Sequence, residues 1–349
     1  MNLIFILFLI SLLYPILFWG FKSLPRENRQ ILAAVPGKKN PDNAWHAINL
    51  TYYGLIVAAS YTFAVMIFIL LAASVGISLP VMVTMIALLM VVVLPSARMV
   101  AAIVEKKKNT FTVGGAAFVA IVTTPLLLSL AGYPARHMGY PPLPTLPILS
   151  AMAIAYGFGE GLGRLACISF GCCYGKALSE CSPGVQRMFK HVHLTFFGPT
   201  KKIAYASNLE GVPVLPIQAI TAVIYTTAAI AGVSLFLSGH FYLAYILLLT
   251  VTQIWRVFSE FFRDDFRGTL RFSAYQLMAV IGVCYSLAIL LVLPGNVSPR
   301  PDLVLGISQL WQPGVILTLE AVAFLVFLVM GRSRTTGAVM SIHVNREAV

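Results

Sequence analysis

Apolar residues run along this chain in blocks of about 20, broken by short polar or proline-containing stretches. That pattern predicts helices crossing a hydrocarbon core of about 30 Å at 1.5 Å per residue. Nine such blocks lie near residues 2–21, 48–74, 79–104, 111–131, 148–170, 215–237, 241–262, 274–293 and 313–331. Pro95 is expected to kink or end the third block early. The stretch 134–147 (PARHMGYPPLPTLP) is proline-rich and reads as a rigid loop rather than a helix. The first block lacks a basic leader, contains Pro15 and has no small-residue cleavage site after it, so a retained span is expected rather than a signal peptide. The longest polar stretch, 174–214, is too small for a core of its own and is expected to cap the bundle.

Composition agrees with this reading. The 349 residues are 59% hydrophobic and 10% charged, with a mean hydropathy of +0.87. Soluble domains carry about 25% charged residues. The fold class expected is therefore an all-α polytopic transmembrane bundle of about nine spans with a cap at 174–214. The formal net charge of +12 suits a membrane surface or an anionic substrate. Nucleic acid is excluded as a partner, because the basic residues sit in short loops between spans. Alternating the spans places 22–46, 105–110, 174–214, 263–273 and the C-terminal tail on one side, with 5, 3, 5, 3 and 3 Lys or Arg residues. The other side holds Arg136 and Arg300. By the positive-inside rule the cap side is cytoplasmic and the N-terminus outside. Lys106, Lys107 and Lys108 read as part of this topogenic signal.

A few polar groups interrupt the apolar blocks. Gln253, Arg256, Glu260 and Arg263, spaced three, four and three, are expected on one stripe of the seventh span. Arg164 lies in the fifth span, with Glu160 as a buried partner one turn earlier. A charge at the bilayer centre costs roughly 2.5–3.5 kcal/mol on insertion scales, so such residues face polar cavities and act there. Two buried arginines beside carboxylates point to an anionic head group. Gly157, Gly159, Gly161 and Gly163 follow no strand, so close helix packing explains them better than nucleotide binding. Four of the five cysteines cluster as Cys167, Cys172, Cys173 and Cys181, while Cys284 reads as a packing residue. Beside Arg164, Cys172 or Cys173 could serve as a thiolate nucleophile or base, since a nearby cation lowers a thiol pKa. They could equally be small packing residues, or metal ligands; their spacing fits no common zinc pattern, and neither metal nor cofactor is expected. His191 and His193 read as a solvated cap surface, and Glu320 as a packing contact or a separate polar site.

The order of short motifs is more specific than any one of them. Tyr52-Tyr53-Gly54-Leu55 opens the second span and Gly114-Gly115 the fourth; Gly163-Arg164 closes the fifth. Pro216 and Gln218 open the sixth, Arg256 and the EFFR run close the seventh, and Ser273 with Gln276 precede the eighth. Over roughly residues 46–295 this series resembles the prolipoprotein diacylglyceryl transferases. Residues 1–45 are then an added N-terminal span and basic loop, and 296–349 an added C-terminal span and tail.

The resemblance implies transfer of a diacylglyceryl group from phosphatidylglycerol, an anionic glycerophospholipid, to the thiol of a prolipoprotein acceptor, with release of glycerol phosphate. It implies catalytic roles for Arg164 and Arg256, with Glu260 orienting Arg256 and Arg263 meeting the head group at the interface. Cys172 and Cys173 are the further catalytic candidates. Tyr53, Gly114, Gly115, Cys167, Tyr174, Gln218 and Thr252 complete the expected substrate-binding set. The sequence departs from the family where Val113 and Leu215 replace histidines, Thr252 replaces a tyrosine, and Cys167 and Cys172 replace an asparagine and a glutamate. The family acts on the outer face of a bacterial cytoplasmic membrane, whereas the charge bias here places the equivalent region inside. Two alternatives follow: a related transferase with a non-lipoprotein, cytoplasmic-side acceptor, and a non-catalytic lipid-binding protein or transporter.

Overall fold

The apolar blocks fold as α-helices in a computed structural model that describes all residues except 105, 107–111, 138–142, 265–271 and 293–299. Lys107 and Lys108 of the basic cluster, Arg267 and Arg271 of the 263–273 loop, and residues 138–142 of the proline-rich stretch lie outside the described residues. The chain runs through α1 (Asn2–Ser23), strands β1 (Ile31–Lys39) and β2 (Trp45–Thr51), then α2 (Tyr52–Ser74), α3 (Leu79–Val104), α4 (Val113–His137) and α5 (Thr145–Phe170). The cap holds α6 (Pro183–Phe189), β3 (Leu194–Thr195), α7 (Lys202–Ser207) and β4 (Pro213–Val214). Next come α8 (Ile217–Leu237), α9 (Phe241–Glu260), α10 (Ala274–Val292), α11 (Leu303–Leu310), α12 (Pro313–Met330) and β5 (Arg332–Met340). Among the described residues nine helices are long and apolar enough to cross a membrane. The protein is a polytopic all-α membrane bundle.

Three local expectations are corrected. Pro95 does not end α3, which runs on to Val104; packing against α4 supports the helix there, as neighbouring helices do where membrane helices keep proline. The 134–147 stretch is not wholly loop. α4 passes Pro134 and ends at His137, and α5 starts at Thr145 with Pro147 in its first turn, where a helix has no N–H bond to lose. Residues 48–51 belong to a strand rather than a span. The alternation in WHAINLT suits β2, which pairs antiparallel with β1 and with the C-terminal β5. The added N- and C-terminal segments thus meet in one three-stranded sheet beside the entrance to α2.

α5 sits at the centre, packed against α2, α8 and α9, and its alternating glycines explain how. A Cβ on Gly157 would lie 2.8 Å from the Leu248 side chain of α9, and one on Gly161 2.8 Å from Thr226 of α8. A Cβ on Gly159 would lie 3.1 Å from Ala64 of α2. These positions let three helices approach α5 closely. α3 packs on α4, α10 bridges α4 and α9, and α11 and α12 pack on α2. Gly54 approaches the backbone of Gly331 so closely that a Cβ would fall 2.1 Å from its Cα, which fixes the start of α2 against the end of α12.

Candidate active site

Tyr156, Glu160 and Arg164 recur every four residues on α5 and share one face. Glu160 forms an ion pair with Arg164 and lies 3.6 Å from Nη2 of Arg256 on α9. The same Nη2 donates a 2.9 Å hydrogen bond to the Tyr156 hydroxyl. The side chains are 13% (Arg164), 10% (Arg256) and 7% (Glu160) exposed, so this is a buried cluster. One carboxylate between two guanidinium groups leaves a single net positive charge. Nε of Arg164 and Nε of Arg256 are buried with no hydrogen-bond partner among the described residues. Unmatched buried donors are costly, and both residues line a cavity.

That cavity, of 1120 Å³, runs between α2, α3, α4, α5 and α9. Along α2 it extends from Tyr53 to Phe68, a rise of about 22 Å, or most of a bilayer core. Its cap-side end carries Tyr53, Arg164, Cys167, Arg256, Glu260 and Arg263. Its far end is walled by Phe68, Ile86, Leu89, Ile121, Leu149 and Leu248. A polar head and an apolar body are the shape of a lipid.

Local sequence explains the clamp's position. Thr112 accepts the Gly115 N–H at 3.0 Å in the manner of an N-cap, which starts α4 beside Arg256. A Cβ on Gly114 would lie 2.6 Å from Arg256 Nη1 and 2.7 Å from the Tyr275 ring, so the glycine makes room for the guanidinium. Ser273 and Gln276 form a reciprocal capping box at the start of α10. Gln276 also donates to the Val257 carbonyl at 3.0 Å, tying α10 to the turn of α9 that carries Arg256.

The cysteine cluster follows from how α5 ends. Gly171 adopts φ 72°, its N–H bonds the Ile168 carbonyl at 3.2 Å, and the Cys172 N–H bonds the Cys167 carbonyl at 3.0 Å. This is a Schellman turn, which brings the residues at its two ends together. The sulfur atoms of Cys167, Cys172 and Cys173 all lie within 4.8 Å of one another, and all three residues line the cavity. Hydrogen bonds with Cys167 and Cys173, together with burial, hold the Cys172 thiol well above its ordinary pKa, against the lowering expected from Arg164. Cys181 is not in this group; its thiol donates to the Ala177 carbonyl.

Other expected residues fall differently. α9 ends at Glu260, so Arg263 lies on the following turn rather than on the helical stripe. Glu260 pairs with Arg263 at 3.7 Å and also acts electrostatically on Arg256, while Glu160 lies nearer to that guanidinium, at 3.6 Å. Tyr53, Gly114, Thr252, Gln253 and Arg263 line the cavity; Gly115, Tyr174 and Gln218 do not. Gly115 packs on Val100. The Tyr174 hydroxyl bonds Ser207 in the cap at 2.6 Å. Gln218 donates to the Cys172 carbonyl at 2.9 Å and so holds the cysteine turn. Of the two lost histidine positions, Val113 faces the cavity, whereas Leu215 is buried against Gly175.

The sequence reading missed Tyr156 and Tyr225, both in the cavity wall, and the second role of Glu160. The four-residue spacing of Tyr156, Glu160 and Arg164 was a usable signal. It also missed Arg98, Lys202, Arg332 and Arg334, which add cations to the lining. The last two arrive through β5, from a segment more than 160 residues beyond Arg164.

A bundle of apolar helices long enough to cross a membrane, with a buried arginine pair at one end of a largely apolar cavity, defines a class: polytopic integral membrane proteins with a polar site inside the bundle. The family model of prolipoprotein diacylglyceryl transferase matches residues 43–292, and the chain belongs to that family of membrane transferases. No curated protein matches the chain. α1, α11, α12 and β5 lie outside the matched span.

Proposed function

We propose that the protein transfers a diacylglyceryl group from phosphatidylglycerol to an acceptor thiol. The observation that carries this reading is the Arg164–Glu160–Arg256 cluster, whose single net positive charge and two unpartnered Nε donors suit a singly charged phosphodiester. Arginine stays charged when buried and binds phosphate with directed donors. The acyl chains occupy the apolar end of the cavity, and the glyceryl carbon lies beside the clamp. In the reaction an S–C bond forms from the acceptor to that carbon as the C–O bond to phosphorus breaks. Glycerol phosphate leaves with its developing charge held by the guanidinium groups, and the thiol proton goes to solvent or to the departing phosphate. Glu160 fixes both arginines before substrate arrives. Arg263, with Lys202, Arg332 and Arg334, draws the anionic head group toward the clamp.

The leading acceptor is a lipobox cysteine of a prolipoprotein. A second reading keeps the donor and changes the acceptor to a cytoplasmic-side thiol. It is favoured by the placement of 19 of the 24 Lys and Arg residues on the cap side and by Val113 in place of the family histidine. Purified protein in phosphatidylglycerol vesicles, with and without a lipobox peptide, tests both. Peptide-dependent thioether formation supports the lipoprotein acceptor. Glycerol phosphate release that ignores the peptide but responds to a cytoplasmic extract supports the second. Labelling of the single-cysteine Cys181 variant in intact cells reports the side of the cap.

A further inference from the structure

We infer that Cys167, Cys172 and Cys173 form a binding site for one thiophilic divalent ion of the zinc class, with its open position toward the lipid cavity. Linear spacing hides this site, because C-x4-C-C matches no common zinc pattern. The Schellman turn supplies what the spacing lacks: Gly171 at φ 72° reverses the chain, and the Cys172 N–H to Cys167 carbonyl bond sets the two residues side by side. Cys173 at φ 58° takes a left-handed backbone that non-glycine residues seldom adopt. Gln218 holds the turn by its bond to the Cys172 carbonyl.

The sulfur separations, all within 4.8 Å, are near those a metal requires. Zinc–sulfur bonds of about 2.3 Å put tetrahedral thiolates about 3.8 Å apart, so the ion would draw each sulfur inward by roughly half an ångström. Three thiolates and a divalent cation sum to one negative charge. Arg164 stands one helical turn before Cys167 on the same face, and Lys202, Arg332 and Arg334 add cations to the lining of the same cavity. Three protein ligands with a fourth position free is the arrangement of catalytic rather than structural zinc. All three cysteines line the cavity, so that position is open to an incoming acceptor.

This gives the transfer reaction the thiol activation that Val113 cannot provide. The acceptor R–SH binds as R–S⁻ and releases its proton to water. Its sulfur then forms the S–C bond to the glyceryl carbon while the C–O bond to phosphorus breaks on the arginine clamp. The acceptor step rests on the proposed transfer reaction; the metal site itself does not.

The test uses full-length protein purified in detergent under reducing, anaerobic conditions. Zinc content after expression and Co(II) uptake after chelation are both expected at about one ion per chain, with thiolate-to-cobalt charge-transfer absorption. Cys167→Ser, Cys172→Ser and Cys173→Ser should each lower cobalt affinity at least about tenfold, following the cost of losing a direct ligand or its support. Cys181→Ser and Cys284→Ser should leave it unchanged, and monodisperse elution checks that each variant is folded. Wild-type protein with substoichiometric zinc and no cobalt charge-transfer band overturns the site, as does unchanged uptake in the three variants. A cysteine peptide that shifts the cobalt spectrum, where its serine analogue does not, supports acceptor ligation. Absence of that shift in loaded protein overturns the acceptor step. Because lipid turnover is read separately, failure of the metal site and failure of the transfer reading remain distinguishable.

Discussion

Gly114→Ala changes one hydrogen for a methyl group, yet the structure predicts a large and specific effect. The new Cβ would stand 2.6 Å from Arg256 Nη1, where an ordinary contact is about 3.5 Å. The guanidinium must therefore retreat by about 0.9 Å. The 2.9 Å bond to Tyr156 is made by Nη2 of the same rigid guanidinium, and a retreat directed away from Tyr156 stretches it to as much as about 3.8 Å, outside hydrogen-bond range. A hydrogen bond to a charged group contributes about 1.5–3 kcal/mol, so turnover should fall about 10- to 100-fold. The Tyr275 ring edge, 2.7 Å from the same Cβ, adds an overpacking cost of about 1–3 kcal/mol. The gain of up to about 1 kcal/mol for alanine over glycine in a helix offsets part of it. The protein should thus remain folded while losing activity. The assay is glycerol phosphate release from phosphatidylglycerol vesicles, followed by mass spectrometry and normalised to folded protein by thermal unfolding. Gly115→Ala is the matched control. Its Cβ meets the stiff Val100 side chain at 2.6 Å, so it should lose stability and keep near wild-type turnover per folded molecule. Wild-type turnover in Gly114→Ala, or equal loss in the two variants, would refute the reasoning.

Three further outcomes are expected. Arg164→Lys keeps the charge but loses the fork of directed donors, and kcat/KM for phosphatidylglycerol should drop about 100-fold or more, read in the same vesicle assay. Arg332→Gln with Arg334→Gln should raise the apparent KM for anionic vesicles and leave kcat nearly unchanged, because these residues draw the lipid in without touching the reacting carbon. Lys201, wholly buried, donates to the Leu24 and Ser169 carbonyls at 3.2 and 2.6 Å, and burial lowers its pKa to about 8 against the opposing pull of Glu27. Below pH 8 the amine is charged in both folded and unfolded chains. Between about 8 and 10.5 the unfolded chain holds the extra proton, so its contribution to stability rises with pH, by about 1.4 kcal/mol per unit at most. The stability of wild type minus that of Lys201→Met, from thermal unfolding, should therefore rise from pH 8 to 10; a difference that falls over that range contradicts the assignment.

The bundle was legible because lipid forces it: each span must be apolar for about 20 residues and helical throughout. Arg164 and Arg256 stood out for the same reason, as charges in segments where charge is costly. What the sequence hid was pairing between distant segments. Glu260 sits one turn from Arg256 and acts on it electrostatically, but α9 ends there and its ion pair is with Arg263. Glu160, visible as a partner of Arg164, also reaches Arg256 only because the glycines of α5 let α9 come close. Arg332 and Arg334 had no local signal, since β pairing of β5 with β2 is what carries them to the cavity. The three thiols are an intermediate case. Their spacing fits no common zinc pattern, yet a glycine four residues after Cys167 and just before Cys172 is a Schellman signature that joins them.

The central claim is that the two buried arginines hold the phosphate of the donor lipid. A structure determined with phosphatidylglycerol bound tests it most directly. The account predicts a phosphate at the cap-side end of the cavity, with its oxygens about 2.7–2.9 Å from Nε of both Arg164 and Arg256 and the acyl chains running toward Phe68. A phosphate held elsewhere, with both Nε donors turned to protein groups, would contradict it.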